Sequence, residues 1–163
     1  LIHAIGAGCT IVEVQEPTDF TIQPERWCGD YHISYEEEYI GLDKQTALSC
    51  INYGLFGEAA LQSAKVNPKF EIETKGYKKQ NLITYSDTPC FAENRHILSG
   101  GSFTMDFAPS VWIVLSGKAQ ISGENYSQTI KKGDYFYLPF AAQNKFEISG
   151  NAELIECLPS KQV

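Results

Sequence analysis

From about residue 70 onward, the chain alternates apolar and polar residues with a period of two, which is typical of half-buried β-strands. The alternation is clearest in five segments, 70–74, 81–85, 103–107, 118–121 and 153–157. Turn-forming residues recur between such segments, at 87–89, 99–101, 116–117, 122–125, 132–134 and 149–151. Short strands that are separated by regular turns predict an antiparallel β-sandwich or barrel.

The first part of the chain has a different pattern. Residues 10–14 form a β-branched run that predicts a strand, and residues 20–22 predict a second short strand. Further on, Asp43 is placed to cap a helix that ends at Gly54, because Ala47, Leu48 and Ile51 share one helical face. A second helix is predicted over residues 58–64. We therefore expect a short helical segment before the strand-rich region.

Composition places this chain among folded proteins and excludes two classes of partner. The 163 residues are 43% hydrophobic and 12% aromatic, which is enough to form a core. Twenty acidic side chains against thirteen basic ones give a net charge of −7. Since no basic stripe is present to neutralise phosphates, neither nucleic acid nor an anionic membrane is an expected partner.

The cysteines indicate reduced thiols. Five of them are widely spaced without a C-x-x-C pair, so neither a disulfide framework nor a structural zinc site is predicted. The chain does not begin with a signal peptide, and no apolar run is long enough to span a bilayer. We expect a cytoplasmic protein without membrane association.

Candidate chemistry is concentrated between residues 3 and 19, which read H-A-I-G-A-G-C-T-I-V-E-V-Q-E-P-T-D. The glycines at positions 6 and 8 predict a turn, after which a hairpin can direct His3 and Glu13 to one face of a sheet. A histidine near a terminus is ordinarily a surface residue, and a strand carboxylate ordinarily points to solvent. The residue types alone leave both interpretations open.

This segment resembles the metal-ligand strand of type I mannose-6-phosphate isomerases, which has the form H-A-I-G-x-G-x-x-x-x-E-x-Q-E-x-[ST]-D. The resemblance implies a zinc-dependent aldose–ketose isomerase that interconverts mannose 6-phosphate and fructose 6-phosphate through an enediol. It implies His3 as a metal ligand and Glu13 as a catalytic carboxylate facing the metal or the substrate. It also implies that Gln15 and Asp19 bind the substrate.

The sequence departs from this family at one position. The family pattern has an arginine ten residues after the glutamate, and this chain has Gln23 there. An arginine can hold a phosphate with a bidentate fork, which a glutamine cannot do with comparable strength. We assign Arg26, three residues further on, as the candidate for the phosphate, and Gln23 as a substrate-binding position.

Residues 112–121 and 130–139 resemble the core of a cupin jelly roll. On this interpretation Gly117 lets one strand reverse into the next, Gly133 forms a tight turn, and Pro139 ends a strand. Four side chains are predicted to lie in the core: Trp112, Val114, Phe136 and Leu138. The one histidine of this region, His96, has no H-x-H partner, so we expect a cupin without metal and a structural or surface role for His96.

Together these features predict a mainly β protein, a cupin-type jelly roll (an antiparallel β-sandwich) with a short helical segment. Residues 1–66 are assigned to the remainder of a catalytic cupin plus the helical segment, and residues 67–163 to a C-terminal cupin without a metal site. The family's other ligands, a Gln, a His and a Glu, lie upstream of the matching histidine. We therefore expect a fragment of the isomerase whose partner is the missing N-terminal part of the same protein, with one Zn²⁺ in the parent and weak or no zinc binding here.

Two alternatives stay open on the sequence. Gln23 in place of arginine favours a non-catalytic cupin module that binds a sugar or a sugar phosphate. A structural oligomerisation domain is the third possibility, and it requires an exposed apolar edge.

Overall fold

The computed structural model describes residues 5–15 and 21–161. The chain divides into two compact units, one that extends to Lys65 and one that begins at Val66. The assignment of the two parts to the remainder of a catalytic cupin and to a complete C-terminal cupin stays a prediction. Within the described ranges, no helix is long and apolar enough to cross a membrane.

The first unit contains short elements: β1 (Trp27–Cys28), β2 (Tyr31–His32), α1 (Tyr35–Glu38), α2 (Lys44–Leu48) and α3 (Gly57–Ala64). β1 and β2 pair antiparallel. The predicted helix cap is confirmed, because the Asp43 side chain accepts a hydrogen bond from the backbone N–H of Thr46 at 3.0 Å. Helix α3 lies where the second helix was predicted.

Helix α2 ends earlier than the sequence pattern indicates, at Leu48 rather than at Gly54. The Ser49 hydroxyl donates to the Thr46 carbonyl, and the Asn52 side chain accepts from the N–H of Gly54. Such local bonds between side chains and backbone compete with the helical pattern and favour turns. The last predicted turns of this helix are therefore replaced by irregular structure.

Neither of the two strands predicted near the N-terminus is present. Residues 10–15 and 21–25 have no regular secondary structure, and Phe20 lies outside the described residues. The turn before them does form, with the N–H of Cys9 bonded to the Gly6 carbonyl at 3.1 Å. A β-branched run becomes a strand only where a neighbouring strand supplies ladder hydrogen bonds, and none of the described residues does so here.

The first unit has a small core. Its buried hydrophobic side chains, among the residues described, are Ile33, Tyr39 and Ala47. By contrast, Trp27 exposes 61% and Phe56 exposes 77% of its surface. For a unit of this length, the core formed by the described residues is small.

The second unit is a rolled antiparallel sheet of seven strands: β3 (Lys69–Glu73), β4 (Tyr77–Ile83), β5 (Ala92–Thr104), β6 (Ser110–Gly123), β7 (Tyr126–Lys131), β8 (Tyr135–Leu138) and β9 (Glu147–Leu158). The strand order is β3-β4-β5-β9-β6-β7, and β8 pairs with the first part of β6. Because β6 is shared by β8, β7 and β9, the sheet curls around its inner side chains. This confirms the predicted mainly β jelly roll with a short helical segment.

The predicted core residues line the interior. Trp112, Val114 and Leu138 expose 0, 1 and 3% of their surface, and Phe136 packs against this cluster while it is partly buried. They alternate with more exposed neighbours along β6 and β8, as the period-two pattern requires.

Two of the predicted turns are correct, and a third, predicted at 87–89, lies two residues earlier in the chain. Residues 124–125 join β6 to β7, and residues 132–133 join β7 to β8. The Asp134 carboxylate closes the second turn by accepting from the N–H of Lys131 at 2.9 Å. A turn at 85–87 follows β4, and Pro139 comes directly after the last residue of β8.

The predicted turns at 99–101, 116–117 and 149–151 are wrong, because β5, β6 and β9 run through them. Register shifts occur instead between Ser99 and Ser102 and between Val114 and Ser116, which mark β-bulges. Gly117 therefore does not reverse the chain. It pairs with Ala152 just after the bulge of β6, and its φ of +77° and its close approach to the Asn151 carbonyl explain why glycine is needed in this continuous strand.

Candidate functional site

The residues of the N-terminal motif are partly described. Glu13 and Gln15 are exposed side chains on an irregular segment. His3 and Asp19 lie outside the described residues, so the proposed pairing of His3 with Glu13 stays a prediction. The strand over residues 10–14 on which this pairing was based is wrong. Glu13 lies instead on the irregular segment that follows the Gly6–Gly8 turn.

Gln23 and Arg26 lie beside helix α1. The N–H of Gln23 donates to the carbonyl of Glu38 at 3.0 Å, and the carbonyl of Arg26 accepts from the N–H of Ile33 at 3.0 Å. A hydrogen bond to the Glu38 carboxylate, with burial second, raises the pKa of Tyr39, and the charge of Arg26 acts in the opposite direction. The side chains of Gln23 and Arg26 are exposed, so both are open to a ligand.

The structure does not join the two halves of the predicted site. Among the described residues, no hydrogen bond or ion pair links Glu13 or Gln15 to Gln23 or Arg26. The described residues also contain no group of three His, Cys, Asp or Glu side chains that could hold a metal. The zinc site that the resemblance implies therefore stays a prediction.

A buried polar network, which sequence reasoning missed, crosses the interior of the second unit. His96 exposes 2% of its surface and Glu156 exposes 1%. Nε2 of His96 lies 3.1 Å from Glu156 Oε2, and Nδ1 lies 2.9 Å from the Tyr77 hydroxyl. The Asn94 amide donates to the same Glu156 oxygen at 2.9 Å. Of the structural or surface role expected for His96, the structure shows the structural one.

Strand register assembles this network. Asn94 on β5 lies directly opposite Glu156 on β9, and Glu156 lies opposite Trp112 on β6. The His96 ring packs between aromatic neighbours, with centroids 4.6 Å from Phe103 and 4.8 Å from Trp112. Hydrogen bonds in such apolar surroundings are stronger than in water. The hydrogen bonds of the network link β4, β5 and β9 on the inner face of the sheet.

The direction of the hydrogen bonds follows from chemistry. Burial, and then the charges of Glu156 and Asp106, raise the pKa of Tyr77, so its phenol stays protonated. The Tyr77 hydroxyl therefore donates a hydrogen bond to His96 Nδ1. His96 then donates through Nε2–H to the Glu156 carboxylate. Both ring nitrogens are occupied, and a metal could bind His96 only by breaking one of these bonds. We conclude that the network is a structural crosslink.

Two acceptor atoms in this region are not matched by donors of the described residues: Oε1 of Glu156 and Oδ1 of Asn81. Asn81, Asn94 and Glu156 lie side by side on β4, β5 and β9. Buried acceptors without donors carry a desolvation cost, so this row is sensitive to substitution.

The outer face of β9 holds an unreactive thiol. Burial, followed by the nearby charges of Glu93 and Glu156, raises the pKa of Cys157 to about 11. Burial also raises the pKa of Glu93, which lies opposite Cys157 on β5. Since the thiolate is the reactive form, Cys157 is unsuited to nucleophilic chemistry near neutral pH.

One pattern in the sequence could have revealed that His96 is buried. Ala92 and Leu98 are apolar residues at even positions of one strand, and both face the interior. Because strand residues alternate between faces, the even positions between them, Asn94 and His96, face inward as well. A buried histidine requires hydrogen-bond partners.

Comparison with known proteins shows the fold. No family model and no curated protein sequence matches this chain. Among solved structures, it is similar to the mannose 6-phosphate isomerase from Bacillus subtilis, with a TM-score of 0.54 and 20% identity over 69% of this chain and 33% of that one. The chain thus spans about a third of the length of that isomerase.

Further similarities are weaker. An oxalate decarboxylase from Bacillus subtilis with Mn(II) centres has a TM-score of 0.49 at 16% identity, over 60% of this chain and 28% of that one. An ectoine synthase from P. lautus has a TM-score of 0.47 at 12% identity, over 56% and 70%. The fold of this chain is a cupin-type jelly roll, as its antiparallel strand order and its likeness to the isomerase show.

Proposed function

We propose that this chain is the C-terminal part of a zinc-dependent isomerase that interconverts mannose 6-phosphate and fructose 6-phosphate. One observation carries the proposal: the motif at residues 3–19 precedes a jelly roll that is similar in fold to part of such an isomerase. The order of the parts along the chain is the one that the resemblance implies.

In this proposal the chain's own residues act on the substrate from the motif side. The Glu13 carboxylate is exposed and can move a proton between the first two carbons of the sugar. The exposed Arg26 guanidinium can hold the phosphate, and the Gln23 amide can hydrogen-bond to the sugar or its phosphate. Gln15 and Asp19 are assigned to sugar hydroxyls. His3 would ligate the zinc together with upstream residues, because the described residues cannot hold it.

The small core of the first unit supports a partner for it. Trp27, Tyr53 and Phe56 expose 61, 68 and 77% of their surface, so each is free to pack against a further part of the protein. We assign this role to the missing N-terminal part of the same protein. The isolated chain is then expected to be inactive as an isomerase.

A second candidate function is a non-catalytic cupin module that binds a sugar or a sugar phosphate. Gln23 at the position of the family's arginine favours it. A glutamine amide can bind a sugar hydroxyl but does not neutralise a phosphate or an enediolate.

A pair of variants in the full-length parent separates the two functions. If Arg26 holds the phosphate, Arg26→Ala lowers kcat/KM by about 10²-fold or more, which corresponds to about 2.7 kcal/mol of transition-state stabilisation. If the parent is a weakened or non-catalytic relative, Gln23→Arg raises activity instead and Arg26→Ala has little effect. The measurement is the rate of fructose 6-phosphate formation from mannose 6-phosphate.

Lys44→Ala is the matched control, because Lys44 is another exposed cation of the same unit and has no assigned role. Its kcat/KM is expected to equal that of the parent. An Arg26→Ala variant as active as Lys44→Ala, together with an unchanged Gln23→Arg variant, would contradict both functions.

A further inference from the structure

The second unit contains a cavity that the proposed isomerase function does not use. Its volume is about 580 Å³, and it lies between β7, β8 and the short 3-10 helix at Phe140–Ala142. Its floor is formed by buried apolar side chains of the jelly-roll core: Met105, Ile121, Ile130 and Leu138. A volume between 300 and about 1,000 Å³ is typical of small-molecule sites.

Aromatic rings surround this floor. Phe136 and Phe146 are partly buried and pack against the core. Tyr126, Tyr135 and Tyr137 also line the cavity and expose 46, 79 and 61% of their surface. The cavity therefore changes from apolar at its base to phenolic at its mouth.

The mouth offers free hydrogen-bonding groups. The hydroxyls of Tyr135 and Tyr137 make no hydrogen bond to any described residue, whereas Tyr126 donates to the Gln128 side-chain oxygen. Phenols of this kind combine a ring face for packing with a polar end for a ligand hydroxyl or carbonyl.

The charge of the lining disfavours anions. Among the described residues that line the cavity, one carries a carboxylate, Asp134. None of them is a lysine, an arginine or a histidine. Phosphate recognition in proteins relies on cationic side chains or on a cluster of backbone N–H groups. A sugar phosphate is therefore poorly matched to this lining.

We propose that this cavity binds an uncharged ligand with an apolar ring system and a hydroxyl or carbonyl group at the end that faces the tyrosines. The apolar rings of the ligand pack against the floor. Binding is favoured because this contact removes apolar surface from water. The polar group bonds to the tyrosine hydroxyls at the mouth. This site is distinct from the proposed sugar-phosphate site and does not depend on isomerase activity.

Trp112 provides a spectroscopic report on this cavity. Its ring is parallel to that of Phe136, with an interplanar angle of 3° and a centroid distance of 6.1 Å, and Phe136 lines the cavity. The chain has two tryptophans. In the variant Trp27→Phe, all tryptophan emission comes from Trp112.

The test uses the neutral apolar fluorophore N-phenyl-1-naphthylamine with the Trp27→Phe chain. We expect saturable energy transfer from Trp112 with a stoichiometry near one and a dissociation constant on the order of 10 µM. Mannose 6-phosphate at millimolar concentration should leave the transfer unchanged. Absence of saturable transfer, or displacement of the fluorophore by mannose 6-phosphate, would overturn the proposal.

Two neighbouring alanines give a matched pair of variants. Ala142 is buried and lines the cavity, whereas Ala141 lies on the same 3-10 helix, is exposed and does not line it. Ala142→Leu fills part of the cavity and should weaken binding of the fluorophore about tenfold or more. Ala141→Leu should bind it as the unaltered chain does.

Thermal unfolding of both variants shows whether they fold. If Ala142→Leu does not fold, the energy transfer from Trp112 to the fluorophore in the Trp27→Phe chain decides the proposal. Equal affinity of two folded variants would overturn the assignment of the cavity. Sedimentation of the chain at the working concentration is the last arm. Self-association that abolishes fluorophore binding would show that a second copy covers the cavity, which also overturns the proposal.

Discussion

His96→Ala is expected to lower the free energy of unfolding of the jelly roll by about 3 to 5 kcal/mol, because it removes the partner of a buried carboxylate. Glu156 exposes 1% of its surface, and His96 Nε2 lies 3.1 Å from its Oε2. The variant also removes the acceptor of the buried Tyr77 hydroxyl. Urea unfolding followed by tryptophan fluorescence measures the loss.

Arg95→Ala is the control for this experiment. Arg95 is the next residue on β5 and pairs with Glu153 at 2.8 Å, but their side chains expose 38 and 26% of their surface. A solvent-exposed pair of this kind contributes about 1 kcal/mol or less. Each pair holds a glutamate of β9, but only the His96–Glu156 pair is fully buried. Similar losses for His96→Ala and Arg95→Ala would therefore show that the buried network is not a strong crosslink.

A double variant tests the cause of the loss. In His96→Leu/Glu156→Leu no unpaired charge stays in the interior, so part of the stability lost in His96→Leu should return. A double variant less stable than His96→Leu would mean that Glu156 stabilises the fold without its histidine.

Gly117→Ala is expected to be the most damaging single methyl addition, with a loss of about 4 kcal/mol or more of unfolding free energy or no folded protein at all. A Cβ at this position would lie 2.2 Å from the Asn151 carbonyl oxygen and 2.9 Å from Ala152 Cα. Both are backbone atoms of the paired strand β9, so they cannot move aside without breaking the ladder. The positive φ of 77° adds strain for any residue with a Cβ.

Gly100→Ala separates the steric overlap from the backbone strain. Gly100 also has a positive φ, of +82°, but a Cβ there would meet no atom within 4 Å. This control should lose about 1 to 2 kcal/mol, the cost of a left-handed conformation for a non-glycine residue. Equal losses for Gly100→Ala and Gly117→Ala, measured by urea unfolding, would contradict the explanation by overlap.

Much of the jelly roll was predictable because its strands follow the period-two pattern closely. Trp112, Val114 and Leu138 are buried as predicted, since inward positions of β6 and β8 alternate with outward ones. The hairpins at Gly123 and Gly133 were predictable from turn residues. The failures lie at Gly100, which belongs to a bulge, and at Gly117 and Gly150, where glycine allows a close approach of strands. A glycine has the same appearance in a sequence whether the chain turns or merely bends.

The N-terminal segment was predicted less well for a different reason. Residues 10–14 have a high β-propensity, but propensity becomes a strand only where a partner is available. In the described structure Glu13 therefore lies on an irregular segment, and its role depends on the family resemblance alone. His96 shows the reverse case: its function as a crosslink depends on Glu156, 60 residues away, which no local pattern indicates.

The most direct test of the central claim is conversion of mannose 6-phosphate by the zinc-loaded full-length parent in D₂O, followed by NMR. We predict formation of fructose 6-phosphate with exchange of solvent deuterium into the sugar, as expected for an enediol route. We also predict loss of both after Glu13→Gln. A zinc-loaded, folded parent that neither converts mannose 6-phosphate nor exchanges its C2 proton would contradict the claim.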